Sequence, residues 1–144
     1  MQTITNREEL SPRLRLAITR TARRLRQEAD AGLSPSLTAA LSTIERHGPL
    51  TPSRLAEIER IQRPTVTRLL ATLEQGGLIE RMGDPDDGRV SHVLVTREGR
   101  ALVKKLRSRK NAYLSKRLRR LDDDELETLE RATAILERIL EGPE

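Results

Sequence analysis

The 144 residues carry a formal net charge of +5, with hydrophobic and charged residues almost balanced at 35% and 34%. Cysteine, Phe and Trp are absent, and Tyr113 is the sole aromatic. That excludes disulfides and thiolate metal sites, and it takes support from single-strand binders, which stack bases on rings. No run of about 18 apolar residues occurs and no charged-then-apolar leader opens the chain, so the expectation is a soluble, non-exported protein without a membrane partner.

The first predicted helix runs from about Ser11 to Ala29, with Ser11 as N-cap and Pro12 at the first helical position. Its apolar line is Leu10, Leu14, Ile18, Ala22, Leu25 and Ala29, set among arginines. Gly32 ends it, and Ser34-Pro35 opens a second helix over about Pro35–His47, stopped by Gly48-Pro49. Thr51-Pro52 opens a short third helix to about Glu59, and after a very short turn a fourth covers about Arg63–Gln75. Two helices so closely joined make a helix-turn-helix. Gly76-Gly77 stops the fourth helix. Leu78–Met82 and Val90–Val95 then read as paired strands around the turn Asp84-Pro85-Asp86-Asp87-Gly88. Thr96 caps a long helix to about Arg120. Asp122 caps a last one, with the stripe Leu126, Leu129, Leu136 and Leu140.

The fold class expected is therefore mainly α with a small β-wing. A winged helix-turn-helix DNA-binding domain at 33–98 is flanked by an N-terminal dimerisation helix at 1–32 and C-terminal dimerisation helices at 99–144. Apolar faces at both ends, carrying Leu14, Ile18, Leu126, Leu129, Leu136 and Leu140, exceed what so small a wing domain can cover. Pairing with a twofold-related copy is the simplest cover, which predicts a homodimer.

Charge is unevenly spread. Residues 54–120 hold 17 Lys/Arg against 8 Asp/Glu, a local +9, whereas residues 121–144 hold 9 acids against 2 arginines, a local −7. A basic excess on the segment with the helix-turn-helix suits a polyanion, although a basic stretch alone is often only a solvated face. In the fourth helix Val66, Leu69, Leu70 and Leu73 recur at helical spacing and form the buried stripe. The opposite face carries Pro64, Thr65, Arg68, Ala71, Thr72 and Gln75, small and polar with one guanidinium. Such a face can lie in a major groove, where arginine is the best reader of guanine, so double-stranded DNA is the expected partner and the cytoplasm, at the nucleoid, the expected location.

The order of elements and the residues that carry it resemble the MarR family of bacterial transcription regulators, over about Leu10 to Leu140. The carrying segments are Gly48-Pro49-Leu50-Thr51, Leu55-Ala56-Glu57, Arg63-Pro64-Thr65-Val66-Thr67-Arg68, Gly77-Leu78-Ile79-Glu80-Arg81, the wing signature Asp87-Gly88-Arg89, and Thr96 with Gly99. The resemblance implies an obligate homodimer on a pseudo-palindromic operator, with reading helices in successive major grooves and wings on the flanking DNA. It also implies a small aromatic or phenolic anion held between dimer helices and reading head, relieving repression. Two positions depart from the family pattern. Gln62 stands where a better N-cap is usual, and Arg60 stands where the helix-turn-helix usually has glycine.

Among individual residues, Arg68 and Thr65 face where bases would lie, with Thr72 on the same face, Arg63 starts the helix within reach of a base or phosphate, and Thr67 lies on the flank, where it suits phosphate. Ser53 and Arg54 fit phosphate contact with backbone amides, or simple capping. Arg89 suits minor-groove insertion, with Asp87 and Gly88 supporting the wing turn. His47 reads as a helix-end residue, His92 sits on a strand, and two histidines without cysteine give no metal site. Asp122-Asp123-Asp124-Glu125 is the ordinary acidic start of a helix. No nucleophile–base pair, phosphate loop or carboxylate dyad occurs, so no enzyme and no cofactor are expected. Three function classes compete: a sequence-specific regulator, most simply a repressor; an architectural DNA binder; and a winged-helix protein-interaction scaffold.

Overall fold

The computed structural model describes residues 6–83, 86, 88–89 and 91–141. Eight elements follow in chain order: α1 (Arg7–Glu28), α2 (Pro35–His47), α3 (Pro52–Glu59), α4 (Arg63–Gln75), β1 (Ile79–Gly83), β2 (Ser91–Val95), α5 (Arg97–Leu118) and α6 (Asp123–Glu141). The strands pair antiparallel, with Ile79 opposite Val95 and Gly83 opposite Ser91, and an isolated bridge joins Leu50 to Val93.

Helix starts follow local chemistry. The Ser34 and Thr51 hydroxyls accept from the amides of Leu37 and Arg54, and each is followed by proline at the first helical position. Asp122 and Glu125 cap α6 reciprocally. The Asp122 side chain accepts from Glu125 N at 2.8 Å, and the Glu125 side chain accepts from Asp122 N at 3.2 Å. The first helix differs from expectation. It starts at Arg7 on an Asn6 cap that accepts from Glu8 N at 2.8 Å, and it carries Pro12 inside. Asn caps as well as Ser does, and Glu8 and Glu9 suit the positive end of the helix. Ser11 instead donates its hydroxyl to Arg7 O.

The core sits in the middle of the chain. Leu41 and Ile44 of α2, Leu55 of α3, Val66, Leu70 and Leu73 of α4 and Val93 of β2 are fully buried together. Each such side chain contributes about 1.5–3 kcal/mol. The start of α5 is bolted to this head. Thr96 Oγ1 donates to Gly77 O at 2.7 Å and accepts from Gly99 N, and Thr96 N donates to Leu78 O. A Cβ on Gly99 would run into the Leu78 carbonyl and lie 2.7 Å from Val95 Cγ2, so only glycine lets the helix approach so closely. Val103 belongs to the head core, and Arg107 donates to Ser42 Oγ and pairs with Glu45 at 2.9 Å. A boundary at residue 98 thus falls within one continuous, head-anchored helix.

The ends contrast with the head. Neither α1 nor α6 contributes a buried residue. Leu14 and Leu136 are half-buried, while Ile18, Leu126 and Leu129 remain 47%, 38% and 44% exposed and Leu140 85%. Among the described residues no helix is long and apolar enough to cross a membrane.

Candidate nucleic-acid interface

Three hydrophobic side chains hold α4 in the head and thereby fix which residues it turns outward. Val66, Leu70 and Leu73 point into the core, and Pro64, Thr67, Arg68, Thr72 and Gln75 are exposed. Arg68 makes no ion pair or side-chain hydrogen bond with another described residue. Thr67 and Thr72 donate their hydroxyls back to the carbonyls of Arg63 and Arg68, at 3.0 and 3.1 Å. Their oxygens keep acceptor capacity, while the hydroxyl protons are already used.

The two helices of the motif are tied at their starts. Arg63 donates to Ser53 Oγ, and Arg54 pairs with Glu57 at 2.9 Å while its amide is taken by the Thr51 cap. Ser53 is therefore not the cap of α3. Gln62 makes no side-chain cap bond to α4. Arg60 takes a left-handed backbone, φ 54° and ψ 47°. Around it Ile61 N donates to Ala56 O at 3.1 Å and Arg60 N to Glu57 O at 3.3 Å, the two bonds of a Schellman stop. The same stop ends α4: Leu78 N donates to Leu73 O and Gly77 N to Glu74 O, with φ +71° at Gly77. Arginine thus holds a position that glycine holds one helix later.

On the wing, Gly88 and Arg89 lie exposed at the turn, and Arg81 of β1 pairs with Glu74 of α4 at 3.0 Å, fixing the wing to the reading helix. Asp87, expected to support the turn, and Val90, expected to begin the second strand, lie outside the described residues. His47 is exposed at the end of α2 and His92 half-buried on β2. No group of three or more His, Cys, Asp or Glu among the described residues could hold a metal ion.

Three expected placements shift: Ala71, expected on the outward face, is half-buried. Leu69 is half-buried, not in the head core, and Thr65 is half-buried, not open. Both line a recess of about 560 Å³ beneath α1, together with Ala22, Leu25, Arg26, Pro35 and Lys110. The recess is walled by α1, by α2 and by this edge of α4. An adjoining recess of about 520 Å³ is lined by Arg23, Arg26, Leu33, Pro35, Leu106 and Lys110. These cations were not individually legible, because α1 and α5 are far apart in sequence and nothing local announces their apposition.

A helix-turn-helix with an outward arginine-bearing second helix, braced to a β-wing, defines a winged-helix regulator of the DNA-binding type. The MarR family model matches residues 33–91. The HTH-type transcriptional regulator ML2140 of Mycobacterium leprae is 38% identical over 136 residues, spanning 93% of this chain and 95% of that protein. The crystal structure of a Pseudomonas aeruginosa transcriptional regulator superposes with a TM-score of 0.86 at 34% identity, over 97% of this chain and all of that one. FabT of Streptococcus pneumoniae, solved in complex with DNA, shares the fold at TM-score 0.68 and 24% identity, over 93% of this chain and 94% of that one. The chain belongs to the MarR family and is a transcriptional regulator.

Proposed function

We propose that the protein is a homodimeric, sequence-specific reader of double-stranded DNA that represses transcription until a small aromatic or phenolic anion releases it. The observation that carries the reading is Arg68, exposed and without a side-chain partner among the described residues, at the centre of the outward face of α4, while Val66, Leu70 and Leu73 hold that helix to the head. Arg63, Pro64, Thr65, Thr67 and Thr72 complete the major-groove surface, Ser53 and Arg54 meet phosphate, and Arg89 with Gly88 enters the flanking minor groove. That FabT, which shares the fold, was solved in complex with DNA supports DNA as the partner. Leu14, Ile18, Leu126, Leu129, Leu136 and Leu140, left uncovered or half-covered by their own chain, form the dimer seam.

The ligand seat proposed is the pair of recesses under α1. Their volumes suit a small molecule. Leu33, Pro35 and Leu106 supply apolar walls, and Arg23, Arg26 and Lys110 supply charge for a carboxylate or phenolate. With no aromatic side chain in the lining, a ring would be held by aliphatic packing and guanidinium.

Footprinting on the DNA upstream of the protein's own gene, with affinities measured for that site and for unrelated duplex, tests the reading. A regulator protects a twofold-symmetric site and prefers it by about 10³-fold or more. An architectural binder shows salt-sensitive affinity without preference, and a scaffold shows neither.

A further inference from the structure

The recess of about 560 Å³ that Thr65 and Leu69 line holds both signs of charge. Three of its lining residues are ionised: Arg26 of α1, Lys110 of α5 and Glu59, the last residue of α3. Leu25, Ile61 and Leu69 supply aliphatic walls. Glu59 is half-buried, and Thr43 Oγ1 of α2 donates to its Oε1. None of the ion pairs among the described residues includes Glu59, Arg26 or Lys110. The dimer-side helices α1 and α5 thus bring positive charge to the recess, and the helix-turn-helix brings negative charge.

Glu59 does little for α3 itself. A carboxylate at the last position of a helix meets the negative end of the helix dipole, and α3 has no basic residue in its last turn to answer it. Thr43 supplies one hydrogen bond, so the second carboxylate oxygen keeps its acceptor capacity. The carboxylate is not part of a metal site, since no group of three or more His, Cys, Asp or Glu among the described residues could hold an ion. A plain aromatic anion with its carboxylate toward Arg26 and Lys110 would lay an apolar end against Glu59. That strips water from the Glu59 carboxylate and returns no donor, which costs binding. A bare amine would satisfy Glu59 but meet two cations.

We infer that the recess takes a small zwitterion: an apolar body with a carboxylate at one end, held by Arg26 and Lys110, and an ammonium at the other, held by Glu59. This rests on the ligand seat proposed above and names the class of ligand that fills it. Glu59 is its specificity-determining residue, because a site that pairs a donor rejects an analogue lacking that donor far more sharply than a site that only packs against it. Glu59 directly precedes Arg60, the left-handed stop of α3, and Thr65 and Leu69 of α4 line the same recess. The ammonium end of the ligand therefore bears on the helix-turn-helix, and the carboxylate end on α1 and α5.

Isothermal titration calorimetry on the full chain compares 4-(aminomethyl)benzoate, a zwitterion at neutral pH, with 4-ethylbenzoate, of the same shape but with methyl in place of ammonium. The zwitterion should bind at least about tenfold more tightly. Glu59→Gln keeps an acceptor for Thr43 and should abolish that preference, with stability in urea equal to wild type or higher. Lys110→Gln should weaken both carboxylates by a similar factor and leave their ratio unchanged. 4-Ethylbenzylamine, the ammonium without the carboxylate, should bind more weakly than the zwitterion. Equal affinity of the two carboxylates overturns the inference on wild-type protein alone, whatever the variants do. So does a preference that survives Glu59→Gln, or salicylate binding where neither carboxylate probe binds; each leaves the anion seat standing. No binding of salicylate or of either carboxylate would instead overturn the ligand reading beneath it.

Discussion

Arginines near α4 differ in how committed they are. Arg54 is paired with Glu57, Arg63 is tied to Ser53, and Arg68 stands exposed without a side-chain partner among the described residues. A guanidinium that must first abandon a partner gains less from a base than one that need not, so Arg68 is the strongest candidate for direct readout. Arg68→Ala should weaken binding to the cognate site by about 1–3 kcal/mol and relax preference at one symmetric pair of bases. Arg89→Ala should lower affinity with little change in which major-groove bases are favoured. Fluorescence anisotropy against a panel of single-base operator variants separates these outcomes, and an Arg68→Ala loss equal on all sequences would remove it from the major groove. Helical spacing alone made Arg68 legible. Thr65 was not legible in the same way, because its half-burial comes from a tertiary recess that α1 and α2 share with that edge of α4.

Elements were legible where a start or stop is written in two adjacent residues. Ser34-Pro35, Thr51-Pro52 and Gly76-Gly77 each mark a boundary that the structure keeps. Asn6 escaped notice because Pro12 offered a more conventional start, yet proline sits within α1 once a better cap lies upstream. Arg60 was recognised as a departure, and the structure shows how it is met: the backbone adopts the left-handed conformation and both bonds of the stop form. For a non-glycine residue that conformation costs about 1–2 kcal/mol, and β-branched residues tolerate it least. Arg60 already bears that cost, so Arg60→Val should destabilise the protein in urea unfolding only by the excess for a β-branched residue, on the order of 1 kcal/mol or less, whereas Arg60→Gly should keep the same turn. Equal stability of the valine variant and wild type would show that the turn relaxes into another backbone path.

At the scale of the whole molecule, the recesses and the reading surface share α4: Thr65 and Leu69 line one, and Arg68, a turn on from Thr65, is exposed for the other. A ligand that prefers one head position over another must shift DNA affinity, and DNA must shift ligand affinity by the same factor. Millimolar salicylate is therefore expected to weaken operator binding by about 5–150-fold, with an equal loss of salicylate affinity when operator is bound. Calorimetric titration with and without DNA measures both limbs. Identical salicylate affinity in the two titrations, or none, would leave repression controlled by protein abundance or by a ligand of another class.

The bolting of Thr96 and Gly99 to the end of α4 makes a lever of the 22-residue α5, which at ~1.5 Å per residue is ~33 Å long. In the proposed dimer, where the far end of α5 would be held beside the seam while the near end moves with the head, a tilt of only ~5° would carry the head through ~3 Å. Two heads of such a dimer swung in opposite senses would change their separation by ~6 Å, close to the rise of two base pairs. Angular play too small to disturb side-chain packing at the pivot is thus enough to put the reading helices out of step with the grooves.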